Sequence, residues 1–369
     1  MTTTDNATDT RQSPSGDDEG FARGGQGTLS QTTRWAVVAG SLVAGGLIVT
    51  LLWGFSLIFT VMVAAAIYLV AIFAVSRRVE GHRHAVDRVV TGVVTTMFLL
   101  ALIPLVSVVW TVVSEGIARF DAEFFTYSMR GVLGEGGGAY HAIMGTLIIT
   151  GLTTLISVPI GIFAAIYLVE YGRSSVLHGI IARGLTFFVD VMTGIPSIVA
   201  GLFAIALFTQ LFEVGVRMGI IGAVALTVLM IPVVVRSTEE MLRLVPNELR
   251  EASYALGVPR WLTITKVVLP TAVAGIATGV TLAIARVIGE TAPLLVTVGA
   301  TDSTNLNPFD GRMSTLPIFA YYSYATPGVP PEPYFERMWA AALTLMLIVM
   351  VLNIVARLIS KFFAPKTGR

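Results

Sequence analysis

The stretch Glu251-Ala252-Ser253-Tyr254-Ala255-Leu256-Gly257, followed by Val267-Val268-Leu269-Pro270 and then by Ala285-Arg286-Val287-Ile288-Gly289-Glu290-Thr291-Ala292-Pro293, decides how the chain is read. Its first part is polar and helical in pattern. From Thr271 to Val298 the chain is mostly apolar, with Arg286 and Glu290 its two charges. A run of that length is enough to cross a bilayer, which takes about 20 residues. A polar amphipathic segment therefore leads directly into a membrane helix that holds two opposite charges.

Working outward, the whole chain has the same character. It is 369 residues long, 54% hydrophobic and 13% charged, with no cysteine. That charged share is about half the roughly 25% of soluble domains. The composition predicts an all-α polytopic membrane protein. The lack of cysteine excludes disulfides and thiolate metal sites.

Residues 1–34 are rich in Thr, Ser, Gly, Asp and Gln and predict a disordered tail, because they cannot bury enough apolar surface to fold. From Trp35 to Ser76 no residue is charged. This is read as a helical hairpin over 35–53 and 56–76, with Gly54 in the turn and Trp53 and Phe55 at a membrane interface. A basic run over 77–88 closes this 35–87 segment. Six further spans are expected at 89–113, 142–169, 184–210, 218–235, 271–298 and 338–360, within a membrane domain covering 88–365. Eight helices put both termini on one side. With the N-terminus inside, eighteen of the 24 basic residues fall on inner segments and five on outer ones, with Arg286 within a span. The positive-inside rule then places both termini and the 236–270 loop in the cytoplasm.

Within that loop, Pro246 fits the first turn of a short helix. Leu249, Ala252/Ser253 and Leu256 recur on one face, and Gly257 suits a C-terminal cap. Glu239, Glu240, Glu248, Arg250 and Glu251 are assigned to the other face. Such a helix either docks in a hydrophobic groove of a soluble partner or lies flat on lipid. Its acidic polar face argues against the lipid surface. Glu251-Ala252-Ser253, Gly257 and Val267-Val268-Leu269-Pro270 resemble the EAA motif of ABC importer permeases, with Ser in place of the second Ala and Val in place of Ile. The resemblance implies a coupling helix seated in a cleft of a separate ATPase, with Glu248, Glu251, Ala252, Gly257, Leu269 and Pro270 carrying the coupling. The chain itself has no G-x-x-x-x-G-K-[ST], and none of its three lysines follows a glycine. It cannot supply its own phosphate-cradling loop, so it is not itself the ATP-hydrolysing enzyme.

Arg286 lies about 22 Å into its span at about 1.5 Å per residue. A charge at that depth costs at least about 2.5–3.5 kcal/mol and should face a bundle interior or an aqueous cavity. Glu290 is at i+4, within pairing reach on a continuous helix. Gly275, Gly279 and Ala283 form a small-residue stripe leading toward Arg286, suited to close helix packing. Pro293 loosens the backbone there and can free amides for an anion. The pair either fixes helix register or offers Arg286 as a planar cationic fork to an oxyanion, with Glu290 holding it when the site is empty.

The words around the pair (Ala285 to Leu295), with Thr193-Gly194-Ile195-Pro196-Ser197-Ile198-Val199 and Met313-Ser314-Thr315-Leu316-Pro317, resemble the permeases of phosphate importers over about 88–365. The resemblance implies a six-helix type I importer core to which the N-terminal hairpin is added. It implies a translocation path lined by Arg286 and Glu290, with Thr291 and Ser197 beside them, and no catalytic residues. It also implies a second permease subunit, an ATP-binding subunit dimer carrying ATP and magnesium, and an extracytoplasmic phosphate-binding protein. No cofactor or metal on this chain and no nucleic acid are expected. A sulfate or molybdate permease would share the loop but not Gly289-Glu290-Thr291-Ala292-Pro293. An ion-coupled carrier would need an internal repeat, and none is evident.

Other residues draw blander readings. Asp190 sits shallower than Arg286, which suggests an interfacial or packing role. Pro196 is expected to kink its helix, and His82 and His84 lack a ligand cluster. The tyrosine-rich segment 320–334 either meets a binding protein or is interfacial. Asn353 suits a helix–helix hydrogen bond.

Overall fold

The computed structural model describes residues 29–54, 56–172 and 175–363. The expectations for residues 1–28, Phe55, Arg173, Lys366 and Arg369 lie outside the described residues. Regular structure among the described residues is helical throughout. In order the helices are α1 (Gln31–Trp53), α2 (Leu57–Val79), α3 (His82–Gly116), α4 (Ala122–Thr126), α5 (Tyr140–Ile166), α6 (Val176–Gly194) and α7 (Ser197–Leu211). There follow α8 (Gly219–Arg243), α9 (Asn247–Ala255), α10 (Arg260–Thr263), α11 (Leu269–Val287), α12 (Ala292–Thr297), α13 (Leu316–Ala325) and α14 (Glu332–Phe363). Two π-helical turns, Tyr167–Tyr171 and Ile264–Val268, extend α5 and lead into α11. Eight helices among the described residues are long and apolar enough to cross a membrane, in agreement with the sequence reading. The chain divides into two compact units between Ser107 and Val108.

In the first unit, α1 and α2 pack as the expected hairpin. Gly54 turns between them at φ +81°, a left-handed conformation that favours glycine. The helices approach so closely that a Cβ on Gly45 would lie 2.7 Å from the Ala64 nitrogen. Beyond α2, the buried Glu80 carboxylate accepts from the Leu29 amide at 2.6 Å, the Ser76 hydroxyl at 2.8 Å and Arg88 Nη2 at 2.6 Å. The hydrogen-bonded Arg88 guanidinium is the largest influence holding this carboxyl at about 2, well below the usual 4.5.

In the second unit, α8 is the central helix, with Ile221, Leu226, Met230, Val234 and Leu242 all buried. α5 packs along it, where Gly161 admits the Val234 side chain and Thr153 reaches the Ala223 carbonyl at 3.3 Å. α11 crosses its other side through the small-residue stripe: a Cβ on Gly279 would lie 2.6 Å from Ser237, and one on Gly275 2.2 Å from the Met241 sulfur. The close approach expected of this stripe is therefore present.

Several boundaries differ from the sequence reading. The span expected at 184–210 is two helices. α6 stops at Gly194, Ile195 is extended (φ −71°, ψ 125°), and α7 restarts after Pro196. Proline disfavours the helical state of the residue before it, so the segment breaks where a kink was expected. α8 continues past the expected end to Arg243, because Arg236, Glu239 and Arg243 are one helical turn apart and pair. The span expected to end at 298 stops as α11 at Val287. The loop over 299–337 contains α13. Asn353 donates to the Val349 carbonyl of its own helix at 2.9 Å, and not across to a neighbour as expected.

Candidate functional site

Two constellations come from the same stretch of chain. The first is the polar segment at α9. Pro246 is its N-cap, one residue before the helix proper. It ends as the glycine predicts: Gly257 has φ +74°, its amide donates to the Tyr254 carbonyl at 2.9 Å, and Val258 donates to Ser253 at 3.3 Å. These are the two bonds of a Schellman cap. Leu249 and Leu256, the apolar anchors, are 42% and 83% exposed, and Trp261 of α10 is 62% exposed. Glu248, Glu251 and Ala252 are exposed beside them. α9 thus presents exposed apolar side chains with exposed acidic neighbours among the described residues.

Two of its residues turn inward. Ser253, the departure from the EAA pattern, is buried and shares a 2.8 Å hydrogen bond with the Thr263 hydroxyl of α10. Arg250, assigned by its spacing to the outer polar face, instead reaches Glu170 in the first π turn, at 2.9 Å. Glu239, also assigned outward, is 6% exposed and paired with Arg236 and Arg243. Leu269 and Pro270 form the first turn of α11, directly after the second π turn, so the segment Arg260–Val287 runs as one span from α10 to Arg286.

The second constellation surrounds Arg286. The antiparallel match of Gly275 with Met241 and Gly279 with Ser237 puts Arg286 level with Met230, about halfway along α8. Arg286 therefore stands about midway along α8. Its side chain is exposed, whereas Ala283 and Val287 on either side are buried. The packing stripe runs on into Val287, and Arg286 borders it on the open face with Thr278 and Leu282. No ion pair joins Arg286 to Glu290 among the described residues. α11 ends at Val287 and the Glu290 amide turns back to the Val287 carbonyl at 3.1 Å, so i+4 spacing no longer stacks the two side chains.

The break at Ile288–Thr291 leads into α12, whose Pro293 lies in its first turn. α12 packs on α7, where a Cβ on Gly201 would lie 2.8 Å from the Pro293 backbone. Ser197 begins α7 one turn before that contact. Two interrupted spans, α6–α7 and α11–α12, thus meet at their second halves, carrying Ser197, Glu290 and Thr291 at the interruptions. Among the described residues, no side-chain hydrogen bond or ion pair joins Ser197, Arg286, Glu290 and Thr291. Broken helices at membrane depth are tolerated where they line a cavity or are buried in protein.

Sequence reasoning missed two groups. Asp190 of α6 pairs with Arg236 of α8, which in turn holds Glu239. The i, i+3, i+7 spacing of Arg236, Glu239 and Arg243 was the available signal. The Arg250–Glu170 pair joins residues 80 positions apart, for which the sequence holds no local signal.

Residues 157–369 match the family of binding-protein-dependent transport system inner membrane components, and the chain belongs to it. Within that class its relatives are narrower. It is 47% identical over 291 residues to the phosphate transport system permease protein PstA 1 of Mycobacterium tuberculosis, covering 78% of this chain and 91% of that one. It is 42% identical over 260 residues to PstA of Pasteurella multocida (70% and 88%) and 38% identical over 293 residues to PstA of Yersinia pestis (79% and 94%). A chain of the inward-facing MetNI methionine ABC transporter resembles it at 19% identity and a TM-score of 0.48, covering 62% of this chain and 95% of that one.

Proposed function

We propose that this chain is the permease subunit of an ATP-driven importer that carries inorganic phosphate across the cytoplasmic membrane by alternating access. The observation that carries the reading is Arg286: an exposed guanidinium halfway along the bundle, with no carboxylate partner among the described residues, in a homologue of phosphate permeases. Left against lipid it would cost at least about 2.5–3.5 kcal/mol, so its face belongs against a second permease subunit with a polar path between them. A permanently charged, planar donor fork suits a tetrahedral oxyanion. Glu290, Thr291 and Ser197, at the two interruptions, are its neighbours on that path.

Both termini and α9 lie on the cytoplasmic side in this reading, as the distribution of basic residues supports. The exposed Leu249, Leu256 and Trp261 dock in an ATPase subunit dimer, and Glu248, Glu251, Ala252, Gly257, Leu269 and Pro270 form the coupling segment. ATP and magnesium are bound by that partner, and an extracytoplasmic binding protein delivers phosphate. The discriminating experiment is uptake in cells whose only copy of the permease is this chain. Labelled phosphate should enter by a saturable route that excess sulfate or molybdate does not compete. Uptake of sulfate in place of phosphate would refute the substrate assignment.

A further inference from the structure

The guanidinium of Arg250 has no donor left over. Nε and Nη2 bind Glu170 Oε1 at 3.1 and 2.9 Å, and Nη2 also binds the Leu242 carbonyl at 2.9 Å. Nη1 binds the Val245 carbonyl at 2.6 Å and Asn247 Oδ1 at 3.3 Å. The pair is nearly withdrawn from solvent, with side chains 12% and 5% exposed. One side chain of α9 therefore holds both the end of α5 and the end of α8. The Glu170 turn is gripped a second time by α10, whose Arg260 guanidinium lies 5.6 Å from the Tyr171 ring centroid.

Glu170 lies within a π-helical turn, and a second π turn, Ile264–Val268, lies between α10 and α11. Such turns carry the wider i→i+5 ladder and occur often at functional sites. α9 reaches the last residue of α10, immediately before the second turn, through the Ser253–Thr263 hydrogen bond at 2.8 Å. Among the described residues, Arg250 and Ser253 are the α9 side chains that are not exposed; one leads to a π turn and the other to the residue just before one, at the feet of two spans. One of those spans carries Arg286 in its last turn.

We propose that Arg250 is a positioning residue of the transport cycle: through Glu170 and the Leu242 and Val245 carbonyls at the end of α8 it passes displacement of α9 on to α5 and α8. This rests on the importer reading above. A lysine at 250 keeps the charge but has three rotatable donors and no fork, so it cannot hold Glu170 and the α8 carbonyls together. The Glu170 side of the link is weakened separately by Glu170→Gln, which keeps an acceptor and removes the charge.

The test uses the full complex in liposomes with wild-type, Arg250→Lys and Glu170→Gln chains. It records ATPase subunit retained, ATP hydrolysed and phosphate moved. Both variants should retain the ATPase subunit and hydrolyse ATP, while phosphate moved per ATP falls at least tenfold for Arg250→Lys and less for Glu170→Gln. A purely structural role would lower hydrolysis and transport together or lose the ATPase subunit. That result, or an unchanged ratio, would overturn the proposal. If the wild-type complex moved phosphate without hydrolysing ATP, the importer reading itself would fall, and this proposal with it.

Discussion

Replacing Gly145 by alanine would put a methyl carbon 2.0 Å from the Ser314 carbonyl oxygen. That oxygen belongs to backbone, so contact at an ordinary distance requires α5 and the 313–316 segment to part by about 1.4 Å; overpacking of this kind costs about 1–3 kcal/mol. The next residue, Thr146, accepts the Leu316 amide at 2.8 Å through its hydroxyl, and both groups are buried. Separation also leaves that amide unpaired, adding about 1–3 kcal/mol. The expected loss is about 2–6 kcal/mol. Gly151, further along the same helix, has no atom within 4 Å of where a Cβ would stand. Alanine there should be neutral or stabilising by up to about 1 kcal/mol, from helix propensity alone. Both variants would be compared with wild type by SDS titration of the purified chain. If Gly145→Ala unfolds within about 0.5 kcal/mol of wild type, a difference typical of neutral surface changes, the packing of α5 on Ser314 is not as described.

Two further perturbations have signed outcomes. Arg88 holds the buried Glu80 carboxyl at about 2, so its contribution is present above pH 4.5 and lost as pH falls from there toward 2. Glu80→Gln should lower thermal stability at pH 7 and flatten its decline over the acid range; an unchanged pH dependence would contradict the pair. Gly257→Ala meets no atom within 4 Å but must hold φ +74°, a strain of about 1–2 kcal/mol. Less ATPase subunit should co-purify at unchanged permease abundance, with Gly257→Asn milder; equal recovery of all three would count against the cap.

Most of the fold was legible because hydropathy reports directly on spans: eight were expected and eight helices among the described residues qualify. The cap at Gly257 was legible because a left-handed residue after an amphipathic helix has a chemical signature. Hydropathy failed where charge and backbone geometry act against it. It ended α8 at its first charge, although Arg236 and Arg243 both pair with Glu239 along the helix and Arg236 also with Asp190 of α6. It also ran through Ile195–Pro196 and Ile288–Thr291, since an interrupted span is as apolar as a continuous one. The expected Arg286–Glu290 pair failed for the same reason, its i+4 spacing presupposing a helix that stops at Val287. The inward turn of Arg250 depends on Glu170, which only the tertiary fold brings near.

The most direct measurement is labelled-phosphate uptake in cells whose only copy of the permease is wild type, Arg286→Lys or Arg286→Ala, at matched membrane abundance and with the ATPase subunit shown to co-purify. Uptake should be abolished in Arg286→Ala and only partly retained in Arg286→Lys, since an ammonium keeps the charge without the fork. Wild-type uptake by Arg286→Ala in an intact complex would show that phosphate does not depend on this guanidinium, and would contradict a path along the exposed face of α11.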